Sequence, residues 1–248
     1  MEPRDYALRA ESAKLPRGDE ERFSGWGIMG LPFRSGHILG LRRFAASSVG
    51  PGYTSVWHRD PAGSWTFYAN VEPLQSCNRF FGAEVDGFIR APIAIDWEGP
   101  RGLRVSVPEA GLQWTSKISS TPVTRILNAI GSIMPDALWK SRFVLSAMAP
   151  IAGTLLHAGR VRMNGRAPNG QSFIANPLRM WTIDEAEASI KGEPFGPVGP
   201  VAPQAQLGDF AIPQRGVFVI GRAFFESYDP AVHLAAATSR EAPAKGNT

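Results

Sequence analysis

The sequence predicts a predominantly β chain, an antiparallel β-barrel or sandwich interrupted by a helical insert. Three observations predict it. Turns that contain Pro and end in Gly stand at Asp60-Pro61-Ala62-Gly63, Pro108–Gly111 and Ala167-Pro168-Asn169-Gly170, each between runs of alternating side chains. The run Gly87 to Trp97 alternates Ile89, Ala91, Ile93, Ile95 and Trp97 with Phe88, Arg90, Pro92, Ala94 and Asp96. Between residues 121 and 158 the apolar period lengthens from two to that of a helix.

In chain order, residues 1–22 are charged and aperiodic and are expected to form a flexible arm or a strap over the domain. Gly25-Trp26-Gly27-Ile28-Met29-Gly30 is a literal GxGxxG. A dinucleotide site would need a strand before it and a helix after it. A charged segment precedes it instead, and Pro32, Ser35 and Gly36 follow, so a glycine-rich edge or loop is expected. A first β segment covers 23–120. Its central hairpin, Tyr53 to Val71, closes on a type I turn with Pro61 second and Gly63 fourth. If Gly63 is left-handed, the loop has three residues, Arg59 faces Trp65 and Trp57 faces Phe67. Trp57, Trp65, Phe67, Ala69 and Val71 then share the inner face, and His58 sits with Tyr68 on a solvent face. A two- or four-residue loop would slip the pairing and carry His58 inward. Pro92 marks the run 87–97 as an edge strand or bulge. In the second hairpin Val107 faces Leu112 and Val105 faces Trp114.

The insert at 121–158 starts with Thr121 as cap and Pro122 in the first turn. Val123, Ile126, Leu127, Ile130 and Met134 form an apolar stripe, and a second helix capped by Asp136 ends or kinks near Pro150. A second β segment covers 159–237. It contains the third hairpin, with Val161, Met163, Phe173 and Ala175 on one face, and a Pro/Gly-rich loop at 192–216. Phe195, Val198, Leu207, Phe210 and Ile212 are expected to anchor that loop. Residues 238–248 are expected to be disordered.

Length and charge bound the function. A chain of 248 residues buries a sizeable core. The net charge of +4 is spread without a basic block, so nucleic acid is not expected as a partner. One cysteine, Cys77, excludes an internal disulfide and fits a reducing compartment. No apolar leader follows the charged start, and the most apolar run, Phe143 to Leu156, is short and contains Pro150. No integral membrane span and a cytoplasmic location are the expectations. No GxSxG is present, four histidines supply all the imidazoles, and no spacing matches a metal site, so neither cofactor nor metal is expected. Cys77, in LQSCNRFFG, reads as a buried structural thiol. Arg160, Arg162 and Arg166 form a row that either faces water or grips an anionic head group.

Candidate catalytic groups are Asp96, Glu84 and His58. A carboxylic acid in an apolar cavity has a raised pKa and can donate a proton near neutral pH. The alternative for Glu84, Asp86 and Asp96 is a water-facing position or pairing with Arg79 and Arg90. Candidate ligand-binding residues are Trp57, Trp65, Phe67, Trp114 and Trp181, aromatic walls suited to a planar or polyene guest in a barrel lumen.

The turn-linked strands 36–118 and 159–226, together with Ser64–Tyr68 (SWTFY) and the PNGQ turn at 168–171, resemble lipocalin-like double-barrel proteins of the hydroxyneurosporene-synthase and AttH type. The resemblance implies an apolar small-molecule pocket, used in some relatives for hydration or cyclisation of polyenes. The expected function is enclosure of an isoprenoid, polyketide or lipid, with the insert as a lid. A catalytic version would be a cofactor-independent cyclase, hydratase, lyase or isomerase. The alternatives are a non-catalytic carrier and a structural protein with a packed core, for instance a homodimer-forming one.

Overall fold

Among residues 2–234, which the computed structural model describes, the chain forms fourteen strands and five α-helices. Helix α1 (Pro3–Ala10) is followed by an antiparallel meander of β1 (Glu21–Pro32), β2 (Ile38–Ser47), β3 (Tyr53–Arg59) and β4 (Trp65–Ala69). After the short α2 (Asn78–Phe81) come β5 (Gly87–Arg90), β6 (Ala94–Glu98), β7 (Gly102–Val107) and β8 (Leu112–Ser119). The helical insert is α3 (Pro122–Ile133), α4 (Asp136–Lys140) and α5 (Arg142–Leu155). Then follow β9 (Asn164–Arg166), the long β10 (Ser172–Ile190), β11 (Glu193–Pro194), β12 (Gln206–Leu207), β13 (Phe210–Ala211) and β14 (Gly216–Phe225).

Ten strands lie side by side in the order β5-β4-β3-β2-β1-β14-β10-β8-β7-β6, antiparallel except for the β4–β5 pair. The sheet rolls up. Trp26 on β1 and Trp97 on β6 stand five strands apart, roughly 24 Å in a flat sheet, yet their rings are 5.7 Å apart. Ala91, Pro92 and Ile93 alone connect the two edge strands, which limits the gap between those ends to roughly 14 Å. The result is a curled half-barrel, with 42% of the described residues in strands and 22% in helices.

Both faces of the sheet are largely buried along β1 to β4, while β6 to β8 bury one face and expose the other. The concave interior holds Trp26, Leu41, Val56, Val105, Trp114, Trp181 and Phe218. Alternate residues of the same strands, among them Phe23, Tyr53, Trp57, Phe67, Phe173 and Phe225, face outward, where Phe80, Phe81, Leu207 and Ile212 cover them. The insert also packs on this convex side. Leu145, Ala149 and Ala152 of α5 meet Met163 and Ile174, and Leu156 meets Val217 and Val219.

The hairpin registers are those expected from the turns. Arg59 faces Trp65, Trp57 faces Phe67, and Gly63 has φ +100°. Val107 faces Leu112, and Val105 faces Trp114. Four features differ from the sequence reading. The run 87–97 is two strands, β5 and β6, at opposite edges of the sheet. Pro92, which cannot donate to a ladder, marks the break. Gly25 to Gly30 lie in β1, a central strand, rather than in an edge or loop. Residues 3–10 of the expected arm are helical. Ala7 is fully buried, and the Trp26 indole N–H donates to Glu11 Oε1 at 2.8 Å just beyond the helix, so the segment straps the half-barrel. His58 is buried, not solvent-facing, because the side of β3 that carries it belongs to the concave interior.

The insert begins as expected, with the Thr121 side chain accepting from the Thr124 N–H and Pro122 in the first turn. Asp136 lies inside α4 rather than capping it. Ser141 caps α5, which runs on through Pro150. Val123 and Leu127 of the expected stripe pack inward, while Ile126, Ile130 and Ile133 face out with Phe143 and Ile151. The loop 192–216 is pinned by buried Phe195, Leu207 and Ile212. The tail 238–248 lies outside the described residues.

Candidate functional site

A cavity of about 140 Å³ lies between the convex face of the sheet and the elements that cover it. The space arises where β1, β10 and β14 present Gly25, Ala175, Gly221 and Ala223 rather than large side chains. Around that gap stand Phe23, Phe44, Trp57, Phe173 and Phe225 from the strands, and Phe80 and Phe81 from α2. Ala152 and Leu156 of α5 contribute to the roof, with Val161 and Met163 beyond the helix. The volume is close to that of an engineered apolar cavity of about 150 Å³ that admits benzene.

Arg162, Asn176 and Arg222 stand on this largely apolar wall, and three further polar side chains enter it from β2, β3 and the turn before α2. Arg42 is 4% exposed, and its Nη1 donates to the carbonyls of Ile28 and Leu41, its Nη2 to that of Met29 at 3.2 Å. Ile28 and Met29 lie where the β1–β2 register shifts, so these carbonyls need donors from outside the ladder. The guanidinium lies over the Trp57 ring, 4.4 Å from its centroid, a cation–π contact. Burial lowers the Arg42 pKa to about 10, which leaves it cationic at neutral pH. Tyr53 Oη and Cys77 Sγ are 3.1 Å apart. Burial raises the pKa of both, so both are neutral. No described carboxylate pairs with Arg42.

The residues expected to form a lumen are divided by the sheet. Trp57 lines the cavity. Trp65 and Phe67 belong to the same convex cluster, with Phe67 stacked on Trp57 at 4.4 Å, but stand behind the wall. Trp114 and Trp181 lie in the concave interior, on the other side of the sheet. Neither carboxylate lines this cavity. Glu84 is exposed and accepts from the Gly208 N–H at 2.8 Å, and Asp96 is exposed on the edge strand opposite Arg104. The arginine row holds the 192–216 loop, Arg160 through Gln206 Oε1 at 2.6 Å and Arg162 through Asp209 Oδ1 at 2.8 Å. Cys77 is the buried thiol expected, and no group of His, Cys, Asp or Glu among the described residues could hold a metal. No described helix is long and apolar enough to cross a membrane. Sequence reasoning missed Arg42. Its signal is a charged residue in period-two alignment with Ile38, Gly40 and Phe44, on a strand whose other face is Leu39 and Leu41.

On the other side of the sheet from the cavity, buried His58 pairs with half-buried His37. Its Nε2 is 3.0 Å from His37 Nδ1, and Phe195 stacks on both rings. Burial first, and then the neighbouring His37, push the His58 pKa down from 6.5 to about 4. In the unfolded chain His58 takes up a proton below about pH 6.5, while in the folded one it does so only near pH 4. Stability is therefore full above the unfolded value and falls as pH drops from about 6.5 to about 4, by on the order of 2–3 kcal/mol. Urea unfolding at pH 7 and pH 5 checks this, with His58→Gln as the control in which the dependence shrinks, burial of His37 lowering its pKa too and keeping a part. An unchanged pH profile in that variant would reject the assignment.

Comparison of the chain with family models, with curated proteins and with solved structures finds no significant match. Fold and site together define an architectural class, a curled antiparallel half-barrel with an apolar, helix-roofed cavity on its convex face.

Proposed function

We propose that the chain encloses an apolar small molecule, such as an isoprenoid, polyketide or lipid, in this cavity and acts as its carrier. One observation carries the reading. The wall is apolar and aromatic, and no Asp, Glu or His stands on it. A cyclase, hydratase or isomerase acting by acid catalysis would need a proton donor at the guest. Glu84 and Asp96 point elsewhere, and burial holds the Tyr53 and Cys77 protons. The likeness to lipocalin-like double-barrel proteins of the hydroxyneurosporene-synthase and AttH type belongs to the same proposal. The turn-linked meander supports it, although the cavity sits outside the curled sheet rather than within it. The lid role of the insert is supported by Ala152 and Leu156, which reach the cavity from α5.

Titration with an apolar fluorophore tests the proposal. The Trp57 ring lines the cavity, so a bound probe is expected to quench tryptophan emission at micromolar concentration, equivalent to about 8 kcal/mol. Ala175→Leu fills the gap on β10 and is expected to abolish quenching while costing about 1–3 kcal/mol of stability. Absence of quenching in the wild-type protein, with no lipophile co-purifying in native mass spectrometry, would reject a small-molecule role.

A further inference from the structure

We propose that the guest is an amphipathic anion, an apolar chain ending in a single carboxylate, and that Arg42 takes its charge from the cavity wall. The inference rests on the apolar-guest reading and names its ligand class. A guanidinium carries five N–H donors. Carbonyls of Ile28, Leu41 and Met29 occupy both donors of Nη1 and one of Nη2. The Nε–H and the second Nη2–H, which together form one edge of the fork, have no acceptor among the described residues. That edge is the one a carboxylate grips with both oxygens.

Two further donors stand beside it unused. Ser55 lies directly across the β2–β3 ladder from Arg42, so the two side chains share a face with Cβ atoms about 5 Å apart. Ser55 Oγ is buried without a partner among the described residues, and Trp57 Nε1, on the ring beneath the guanidinium, has the Cys77 sulfur near it but makes no full hydrogen bond. Buried N–H and O–H groups are normally paired. Three side chains on one face of β2 and β3 thus offer hydrogens that make no full hydrogen bond.

The charge count fits a monoanion. Arg162 and Arg222 also reach the cavity, but each faces its own carboxylate, Asp209 at 2.8 Å and Asp136 at 3.5 Å. Arg42 is the remaining cation on the wall, and the neutral Tyr53 and Cys77 leave it without a counter-charge. A dianionic head would bring one negative charge too many into an apolar enclosure. A neutral lipid would leave the guanidinium as it stands.

Competition against the bound fluorophore, with the full-length chain at pH 7, separates these cases. Octanoate and 1-octanol present the same apolar chain with and without the charge. Octanoate is expected to compete about tenfold or more better than octanol. Arg42→Gln is expected to abolish that preference. Because Arg42 also binds β1 carbonyls, Ser55→Ala, at a residue that does not line the cavity, serves as a milder variant. It is expected to weaken octanoate about threefold or more while leaving octanol unchanged. If octanoate fails to outcompete octanol while the fluorophore still binds, the anion assignment falls and the apolar-guest reading stands. A preference that survives Arg42→Gln in folded protein would also overturn it. If the fluorophore itself does not bind, the underlying reading falls first.

Discussion

Trp114→Ala is expected to remove about 3–5 kcal/mol of stability, the cost of deleting a large buried aromatic side chain. It is also expected to leave the affinity for an apolar fluorophore nearly unchanged. Trp114 is 1% exposed and sits in the concave interior, flanked across the ladders by Val105 and Ala188. The cavity lies on the opposite face of the sheet, so the lost volume is not part of its wall. The indole Nε1 is buried without a partner among the described residues. Trp114→Phe, which deletes that donor and keeps a ring, should therefore cost less than the alanine variant. Urea unfolding and fluorophore titration of the folded fraction measure the two quantities separately. Affinity that falls in step with stability would place the guest inside the curl, against the present assignment.

Gly27→Ala is expected to be nearly as damaging, at about 3 kcal/mol or more, although it adds only one methyl group. β1 is hydrogen-bonded on both sides, to β2 and to β14, and cannot drift away from either partner. A Cβ on Gly27 would lie 2.0 Å from the Leu41 carbonyl oxygen, and one on Gly25 2.0 Å from that of Arg43. Both obstacles are backbone, so no side chain can rotate to make room. Gly40 on β2 provides the internal comparison. Its nearest would-be contact is 3.4 Å from the Trp57 side chain, and Gly40→Ala should be much milder. Similar losses for the two variants, measured by denaturant midpoint at constant m-value, would show that close strand approach is not what excludes alanine from position 27. The glycine spacing that mimics a dinucleotide fingerprint thus has a packing cause.

Local order was legible in the sequence wherever a turn fixed it. Asp60 to Gly63 set the register of β3 against β4, because Pro61 and Gly63 permit few backbone paths. Thr121 and Pro122 marked the start of α3 for the same kind of reason. Alternation identified strands but not which side of them would be covered. It left His58 on a solvent face that does not exist, since the sheet curls over one side while α2, the insert and loop 192–216 cover the other. Alternation also could not say that the run 87–97 divides between two edges, because edge identity depends on pairings with distant strands. The cavity was hidden for a related reason. It is bounded by pieces of β1, β2, β10, β14 and α5, whose proximity is tertiary. Arg42 in turn reads as a surface charge until both faces of β2 are known to be buried.

The place of β14 governs how this sheet can assemble. It lies between β1 and β10, with Glu21 opposite Phe225 at one end of its ladder with β1. Remove it from the strand order and two separate sheets remain, one of β1 to β5 and one of β6, β7, β8 and β10. A growing chain therefore carries two incomplete sheets until Gly216–Phe225 has been made. Each displays a long unpaired edge, β1 in one and β10 in the other, of the kind that templates aggregation. Joining them needs contacts across some two hundred residues, the class of topology that folds in milliseconds to seconds rather than microseconds. The strand that completes the sheet also supplies Val217, Val219 and Phe225 to the cavity, so no binding-competent intermediate precedes closure.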